Sequence, residues 1–398
     1  MLFETEHGMP NKILHVVGRM DRGGVETWLM HTLRKIDRRE FEFHFLVQTT
    51  QESAYDAEIG ALGGKIHCAG NPKNPVGFAL RFNDVVRRHG PFRAVHSHVY
   101  FYSGFVLKLA SEQGIPIRIA HSHTARRRQS GQITRLVYEK LMRHWLRRYA
   151  THRIGASRQA GEALFGLPFT LISYGIDFAR FNASNVQSDG DELKRRYRIA
   201  AVRKVIGHIG RFVPEKNHTF LVHTFHELVK TGTDAHLLLV GAGPLLPEIQ
   251  QLIASLGLSD RCCFAGSQSD VVPFLRAMDL VLLPSQWEGL GIVGLEAQAA
   301  GVPLLASTGV PTDADVIPEL VEHIPLDGGA EFWAAQIRRK LEERSVRRGD
   351  EPARLERSKF GIQLNLEWLS RVYTQPSADL DLTSPEDKPT CDGWQATL

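Results

Sequence analysis

Short apolar runs recur along the chain, each followed by a polar or glycine-bearing loop and then by an amphipathic, helix-period stretch. The runs Ile13–Val17, Phe41–Val47, Arg93–His96, Ile115–His121, Arg153–Ala156 and Thr170–Ile172 read as strands. A helical pattern over Val25–Ile36 follows the first of them. Strand and helix alternating in this way predict a parallel sheet covered by helices on both faces. The rhythm breaks at Ser173–Phe181 and in the polar stretch Asn182–Asp191, then restarts. Strands are expected at Val205–Ile209, His236–Val240, Arg261–Phe264, Asp279–Leu283 and Pro303–Ala306. Helices are expected at Asn217–Lys230, Pro244–Leu256 and Val271–Ala277. Two long helical patterns, Glu331–Arg344 and Arg354–Val372, come last. The fold class is therefore α/β, with two Rossmann-like doubly wound domains over residues 1–180 and 181–354. A polar tail over 374–398, rich in Asp, Ser, Pro and Thr, is expected to be disordered. Ligands of such sheets sit outside the carboxyl ends of the strands, so a cleft between two of them is the expected site.

Composition changes this picture little. Hydrophobic residues make up 43% and charged residues 23% of the 398, ordinary for a soluble globular protein. No run is apolar for long enough to cross a membrane, and Met1–Lys12 lacks the apolar stretch of a signal peptide. Cys68, Cys262, Cys263 and Cys391 fit neither zinc-finger nor paired-disulfide spacing, which favours a reducing, cytoplasmic setting. Charge is more informative. Eight Arg and one Lys between Arg126 and Arg153 face one acid, Glu139, although the whole chain carries only +4. Within that segment Ile133, Val137, Leu141 and Trp145 recur every fourth residue. One reading is a helix with this stripe in the core and its cations in water. The other is a peripheral contact with anionic lipid on the inner face of the membrane. Nucleic acid is set aside, because no aromatic stacking platform accompanies the charge.

Candidate chemistry gathers at predicted strand ends. Gly23 and Gly24 open the first helix, where backbone N–H groups can approach an anion. His96-Ser-His98 and His121-Ser-His123 each end a strand. They are not read as a metal site, since the pairs belong to different strands and no carboxylate completes a set. His123 is read instead as a contact to a sugar hydroxyl or phosphate. Arg211 and Lys216 flank a loop that begins a helix, an arrangement that neutralises a pyrophosphate without a metal. Gly241, Gly243 and Gly266 lie in loops able to edge a nucleobase. The stretch Leu283–Leu305 carries Glu288, Gly289, Leu290 and Glu296. On a helix the two glutamates would be separated by about 12 Å of rise and about 80° of azimuth. They would then grip two ends of one elongated ligand, with a helix N-terminus facing its middle. A nucleotide-sugar has that shape.

Gly-Gly-Val-Glu, His-Ser-His, the Arg211…Lys216 pair, Gly-Ala-Gly-Pro and Glu288…Glu296, in this order across Lys12–Tyr373, resemble the family 4 retaining glycosyltransferases of the GT-B fold. Arg-Phe-Val-Pro-Glu-Lys-Asn-His and Glu-Ala-Gln-Ala-Ala-Gly-Val-Pro look most like the exopolysaccharide and capsule enzymes. The resemblance implies an acceptor-side first domain, with the helix over 355–373 crossing back onto it. It implies diphosphate contacts from Gly23, Gly24, Arg211, Lys216 and the N–H groups of Gly289 and Leu290. It also implies a donor-sugar contact from His123, sugar hydroxyls on Glu288 and ribose hydroxyls on Glu296. Expected, then, is metal-independent hexosyl transfer with retention, from a nucleotide-sugar, with UDP as the foremost nucleotide, to a glycan or polyprenyl-diphosphate-linked acceptor. No cofactor is expected. A nucleotide-sugar 2-epimerase and a non-catalytic nucleotide-sugar-binding subunit are the competing readings on the same fold.

Overall fold

The computed structural model describes residues 9–124, 133–166, 168–182, 186–343 and 348–375. Arg126–Arg128 and the tail from 376 onward lie outside them. The chain forms two compact units. The first comprises residues up to Met20, Leu33–Ser173 and Asn365 onward; the second comprises Asp21–Thr32 and Tyr174–Leu364.

In the first unit the strands are β1 (Asn11–Val17), β2 (Phe41–Val47), β3 (Lys65–Cys68), β4 (Ala94–Ser97), β5 (Ile117–Ser122), β6 (His152–Gly155) and β7 (Thr170–Leu171). They form one parallel sheet in the order β3-β2-β1-β4-β5-β6-β7. Its core packs Leu14, Val16, Leu46 and Val95 of the strands against Phe78, Phe82, Val106, Leu107, Met142 and Leu146 of the covering helices.

The second unit holds β8 (Lys204–Ile209), β9 (Ala235–Val240), β10 (Cys262–Gly266), β11 (Leu280–Leu283), β12 (Leu304–Ser307) and β13 (Val321–Ile324). Their order is β10-β9-β8-β11-β12-β13, again parallel throughout. Every residue of β9, β11 and β12 is buried, as strands covered on both faces require. Helix Gly329–Glu342 packs on helix His218–Lys230, with Trp333 edge-on to Phe220 at 5.4 Å between ring centroids. Both sheets reverse direction of winding at one point, between β1 and β4 and between β8 and β11. The carboxyl ends of those strands define the crevice where doubly wound sheets bind ligands.

Several expectations need correction. β3 and β13 were not foreseen: Lys-Ile-His-Cys and Val-Glu-His-Ile are each half polar, without an apolar run, and the strands are partly exposed. β3 is a sheet edge, and so is β13. The long final helix is two helices, Glu351–Glu356 and Ile362–Thr374. At Gly361, between them, the backbone runs so close to the Glu356 carbonyl that a Cβ would sit 2.0 Å from its oxygen. The changeover between units falls at Ser173/Tyr174, and the return at Asn365 lies inside the last helix. There the Asn365 amide donates to the Ser173 carbonyl at 2.7 Å. Asp21–Thr32, which the strand pattern assigns to the first domain, clusters with the second. No helix among the described residues is long and apolar enough to cross a membrane.

Candidate active site

The second unit's site is built from the loops after β8 and β11, neighbours at its reversal point. After β8 the backbone continues the ladder, with the Gly210 N–H donating to Val240 at 2.9 Å and the Phe212 N–H to Ala242 at 2.9 Å. Phe212 is fully buried and stacks on His218, centroids 4.1 Å apart. That anchor forces a tight turn over Pro214–Lys216, and Asn217 adopts left-handed backbone (φ 58°) before the next helix. Asparagine tolerates that conformation better than most residues. Lys216 is thereby directed at Glu288: Nζ donates to Oε1 at 2.5 Å. Ser285, buried at the end of β11, donates its Oγ–H to the same oxygen at 2.6 Å. The side chains are only 18% and 11% exposed. Backbone bonds lock the loops together, Gln286 N–H to Glu215 at 2.8 Å and Glu288 N–H to Gly309 at 3.1 Å. A carboxylate and an ammonium held in this way need no reorganisation to meet a ligand.

Glu288 does not lie on the helix. Gly291 has left-handed backbone (φ 77°) and the helix spans Ile292–Ala299, so the helical separation expected for Glu288 and Glu296 does not apply. Gly289 is partly exposed and Leu290 is buried just before that helix start. Glu296 is buried, and its Oε1 accepts a charge-assisted bond from Arg180 Nη2. Burial raises its pKa, and the Arg180 guanidinium opposes the rise. Arg180 also stands 3.8 Å from Asp270 and 5.1 Å over the Phe181 ring. Sequence reasoning passed over Arg180 because it lies in a stretch taken for an interdomain linker. The Arg211 side chain, by contrast, is exposed, and no hydrogen bond or ion pair among the described residues holds its guanidinium. The structure does not bring it into the Lys216–Glu288 pair.

The glycines divide by role. A Cβ on Gly241 would sit 2.0 Å from the Gly210 oxygen, and one on Gly243 2.6 Å from the Phe212 oxygen. Both therefore let two loops pack backbone to backbone, a structural reason for residues first read as ligand-edging. Gly266 has φ 69°, and its carbonyl accepts the Gly241 N–H at 2.8 Å. Gly23 lies beneath the Glu26 carboxylate, 2.4 Å from the place a Cβ would occupy. That negative charge works against a phosphate contact at Gly23. Gly24 lies near Ile292 (its Cβ would be 3.5 Å away), and Arg22 Nη1 donates to Ser267 Oγ at 3.1 Å. The glycine loop thus borders the start of the Ile292–Ala299 helix.

His208, near the end of β8, was not anticipated. It is fully buried, and its Nδ1–H donates to the Leu282 carbonyl at 2.8 Å. Burial pushes its pKa down to about 4, so it is neutral at pH 7. Nε2 is then an acceptor, with no partner among the described residues. A side chain at Gly210 would press on it, 3.0 Å away, and on Lys216 at 3.5 Å.

In the first unit the histidines converge. His15 lies beside His96 in the β1–β4 register, and β4 neighbours β5. His98 Nε2 is 3.2 Å from His15 Nδ1, and His98 Nδ1 is 2.9 Å from His123 Nε2. His96 Nε2 is 3.1 Å from His121 Nδ1, and His96 Nδ1 is 2.9 Å from Tyr373 Oη. Burial holds His123 and His15 neutral, with pKa values pushed down to about 3. The two His-Ser-His motifs do belong to different strands, β4 and β5, but these are neighbours in the sheet, so the rings meet.

On the Ile133–Tyr149 helix, the four-residue stripe read as core is overturned in part. Val137 and Leu141 are 61% and 42% exposed, beside exposed Leu136 and Tyr138. The core face is Met142 and Leu146, with Trp145 and Tyr149 packed alongside. Arg143 binds the carbonyls of Ala163 and Leu164, and Arg135 pairs with Glu139 at 2.9 Å. Lys140, Arg147 and Arg148 face solvent.

Comparison with known proteins agrees with this architecture. Residues 189–357 match the family described as glycosyl transferases group 1, and residues 23–172 the glycosyl transferase 4-like domain. EpsF of Bacillus subtilis, named as a glycosyltransferase, is 32% identical over 91% of this chain and 96% of its own length. The lipopolysaccharide core biosynthesis mannosyltransferase LpsB of Rhizobium meliloti is 30% identical over 66% of this chain and 72% of its own. The crystal structure of Anabaena HepE in complex with UDP and glucose shares the fold, with a TM-score of 0.75 at 18% identity over 91% of this chain and 98% of that one. The chain belongs to the group 1, family 4-type glycosyl transferases, retaining hexosyltransferases of the GT-B fold.

Proposed function

We propose that this enzyme moves a hexosyl group, with retention, from a UDP-sugar to a glycan or polyprenyl-diphosphate-linked acceptor during exopolysaccharide, capsule or other envelope polysaccharide assembly. The observation that carries the proposal is the Lys216–Glu288–Ser285 constellation at the reversal point of the second sheet. Departure of a nucleoside diphosphate puts negative charge on the leaving oxygen and positive charge on the sugar. Lys216 supplies a fixed ammonium for the first, joined by the N–H groups at the start of the Ile292–Ala299 helix. Glu288 binds donor-sugar hydroxyls and favours the positive sugar. Arg211, exposed and unpaired, closes on the diphosphate when donor binds. Glu296, held by Arg180, meets the ribose, and His123 meets the donor sugar. The leaving phosphate itself takes the acceptor's proton, so no protein nucleophile is required.

The donor class is supported by relatives: HepE has been crystallised with UDP-glucose and with UDP. The acceptor class is supported by names among the relatives, a capsular polysaccharide biosynthesis glycosyltransferase of Staphylococcus aureus and the lipopolysaccharide core enzyme. The apolar outer face of helix Ile133–Tyr149, with Lys140, Arg147 and Arg148 beside it, suits the surface of an anionic membrane bearing such an acceptor. The test is release of UDP from UDP-sugars with and without lipid-linked acceptor. UDP release that depends on acceptor is expected; an epimerised donor formed without acceptor would overturn the proposal.

A further inference from the structure

β8 places His208 on a strand whose other buried side chains, Val205, Ile206 and Ile209, are apolar. A phenylalanine would fill the same space with no lone pair to satisfy. The Nδ1–H donates to the Leu282 carbonyl, which leaves Nε2 sealed from solvent and without a partner among the described residues. The His218 ring stands edge-on to it, centroids 4.6 Å apart, and gives it no hydrogen bond. A buried acceptor is seldom left unpaired, so the exception asks for a partner supplied during the reaction.

We propose that His208 is a positioning residue for the leaving group: as the diphosphate departs, Nε2 accepts an N–H of Lys216, so that Glu288 and the imidazole together hold the ammonium while its remaining N–H meets the phosphate. This rests on the leaving-group reading of Lys216 and adds to it a residue that touches neither sugar nor nucleotide. The place a Gly210 Cβ would take is 3.0 Å from Nε2 and 3.5 Å from both Cδ and Cε of Lys216, so the two side chains border one small gap. Gly210 is not among the glycines with left-handed backbone, so its missing side chain provides space rather than conformation. The ammonium has three N–H groups, and Glu288 takes one of them. The Leu282 bond keeps the imidazole proton on Nδ1, and burial keeps the ring neutral, so Nε2 accepts and does not donate. A phosphate oxygen has no hydrogen to offer such an atom, whereas an ammonium does. Nε2 therefore suits Lys216 and not the diphosphate itself.

The probe is UDP, with its affinity for the full-length chain measured by calorimetry alongside kcat for UDP release. Asparagine places its amide where Nδ1 lies, and glutamine places one where Nε2 lies. His208→Asn thus keeps the Leu282 bond and loses the acceptor, while His208→Gln gives up that bond and keeps an acceptor facing Lys216. Expected in His208→Asn are a UDP affinity and a kcat each about tenfold lower, with His208→Gln within about threefold of wild type. A purely structural role predicts the opposite order. His208→Asn adds no further loss on a Lys216→Ala background. Gly210→Ala leaves the Leu282 bond and both side chains intact but puts a Cβ into the gap, so it tests the contact even where His208→Asn folds poorly; it lowers both quantities in the wild type. Wild-type UDP affinity in His208→Asn or in Gly210→Ala, set against a clear loss in Lys216→Ala, would overturn the inference alone. So would a glutamine variant no better than the asparagine one, or losses that add in the double variant. Unaltered affinity and kcat in Lys216→Ala would instead remove the leaving-group reading and this inference with it.

Discussion

Replacing Lys216 by alanine separates the ammonium's work in catalysis from its work in folding. In the folded protein Lys216 gives one short bond to Glu288, which also accepts from Ser285. Removing the cation leaves Glu288 with the Ser285 bond and with 11% of its side chain exposed. The stability cost is that of one charge-assisted hydrogen bond, about 1.5–3 kcal/mol. For domains of this size that lowers Tm by roughly 2–4 °C per kcal/mol, so the variant stays folded at 25 °C. The catalytic cost should be larger in effect. Losing one preorganised donor at a developing anion costs about 3 kcal/mol, a factor of roughly 100 or more in rate. The assay is UDP release under acceptor saturation, giving kcat and kcat/KM. A group that acts on the leaving diphosphate lowers kcat, whereas a group that only binds donor raises KM alone. Lys216→Arg restores charge but not shape, because a planar fork cannot take the place of a compact ammonium between two partners. Near-wild-type kcat in Lys216→Ala, or a defect confined to KM, would refute the leaving-group role.

Arg180→Met should destabilise by about 3–5 kcal/mol in urea melts, since it strands the buried Glu296 charge. Burial already raises the Glu296 pKa, so the folded state binds the proton more tightly than the unfolded state. Stability contributed there falls as pH rises, and the Arg180→Met penalty is therefore smaller near pH 5 than near pH 8; an equal penalty would contradict this. His208 runs the other way. Its pKa falls from 6.5 to about 4 on folding, so stability is lost as pH drops through that window, by about 3 kcal/mol in total. His208→Gln should flatten that part of the stability–pH curve, and an unchanged slope would rule out the assignment. Val137→Ser with Leu141→Ser should weaken sedimentation with anionic vesicles about a hundredfold, each side chain being worth about 1.5 kcal/mol when buried in lipid. Unaltered binding would return that face to plain solvent exposure.

The buried strands were legible because a strand covered on both faces is apolar without interruption, as in Leu-Leu-Leu-Val of β9 and Leu-Val-Leu-Leu of β11. The edges β3 and β13 were not, because an edge strand needs only one dry face and carries Lys, His and Glu. Lys216 and Glu288 were legible as strand-end residues, but their pairing was not. It depends on Phe212 being drawn under His218 and on a backbone bond from Gln286 to Glu215, neither of which leaves a periodic trace. Gly241 and Gly243 were noticed as loop glycines able to edge a nucleobase, whereas the group that approaches them is another loop of the same chain. The helix Ile133–Tyr149 misled for a related reason. Val137 and Leu141 have the spacing of a core stripe, yet the face that packs inward is one residue further on, at Met142 and Leu146.

Each of the two glutamates first seen as a hydroxyl clamp has a cation of its own, Glu288 with Lys216 and Glu296 with Arg180. The two pairings differ in a way that suits their positions. A carboxylate that is to grip neutral hydroxyls in a dry place must be kept ionised, and a nearby cation does that. For Glu296, deeply buried, the partner is a guanidinium, always charged and weakly hydrated, which stays put. For Glu288 the partner is an ammonium with three donors around a point charge, only one of them spent on the carboxylate. Lys216 can therefore keep Glu288 and reach a diphosphate oxygen at the same time, without breaking one bond to make the other. Glu288→Gln would remove the charge and keep the shape. On this reasoning it frees Lys216, so donor diphosphate binds as well or better while transfer slows; a parallel loss of UDP affinity and of transfer would mean that Glu288 only holds Lys216 in place.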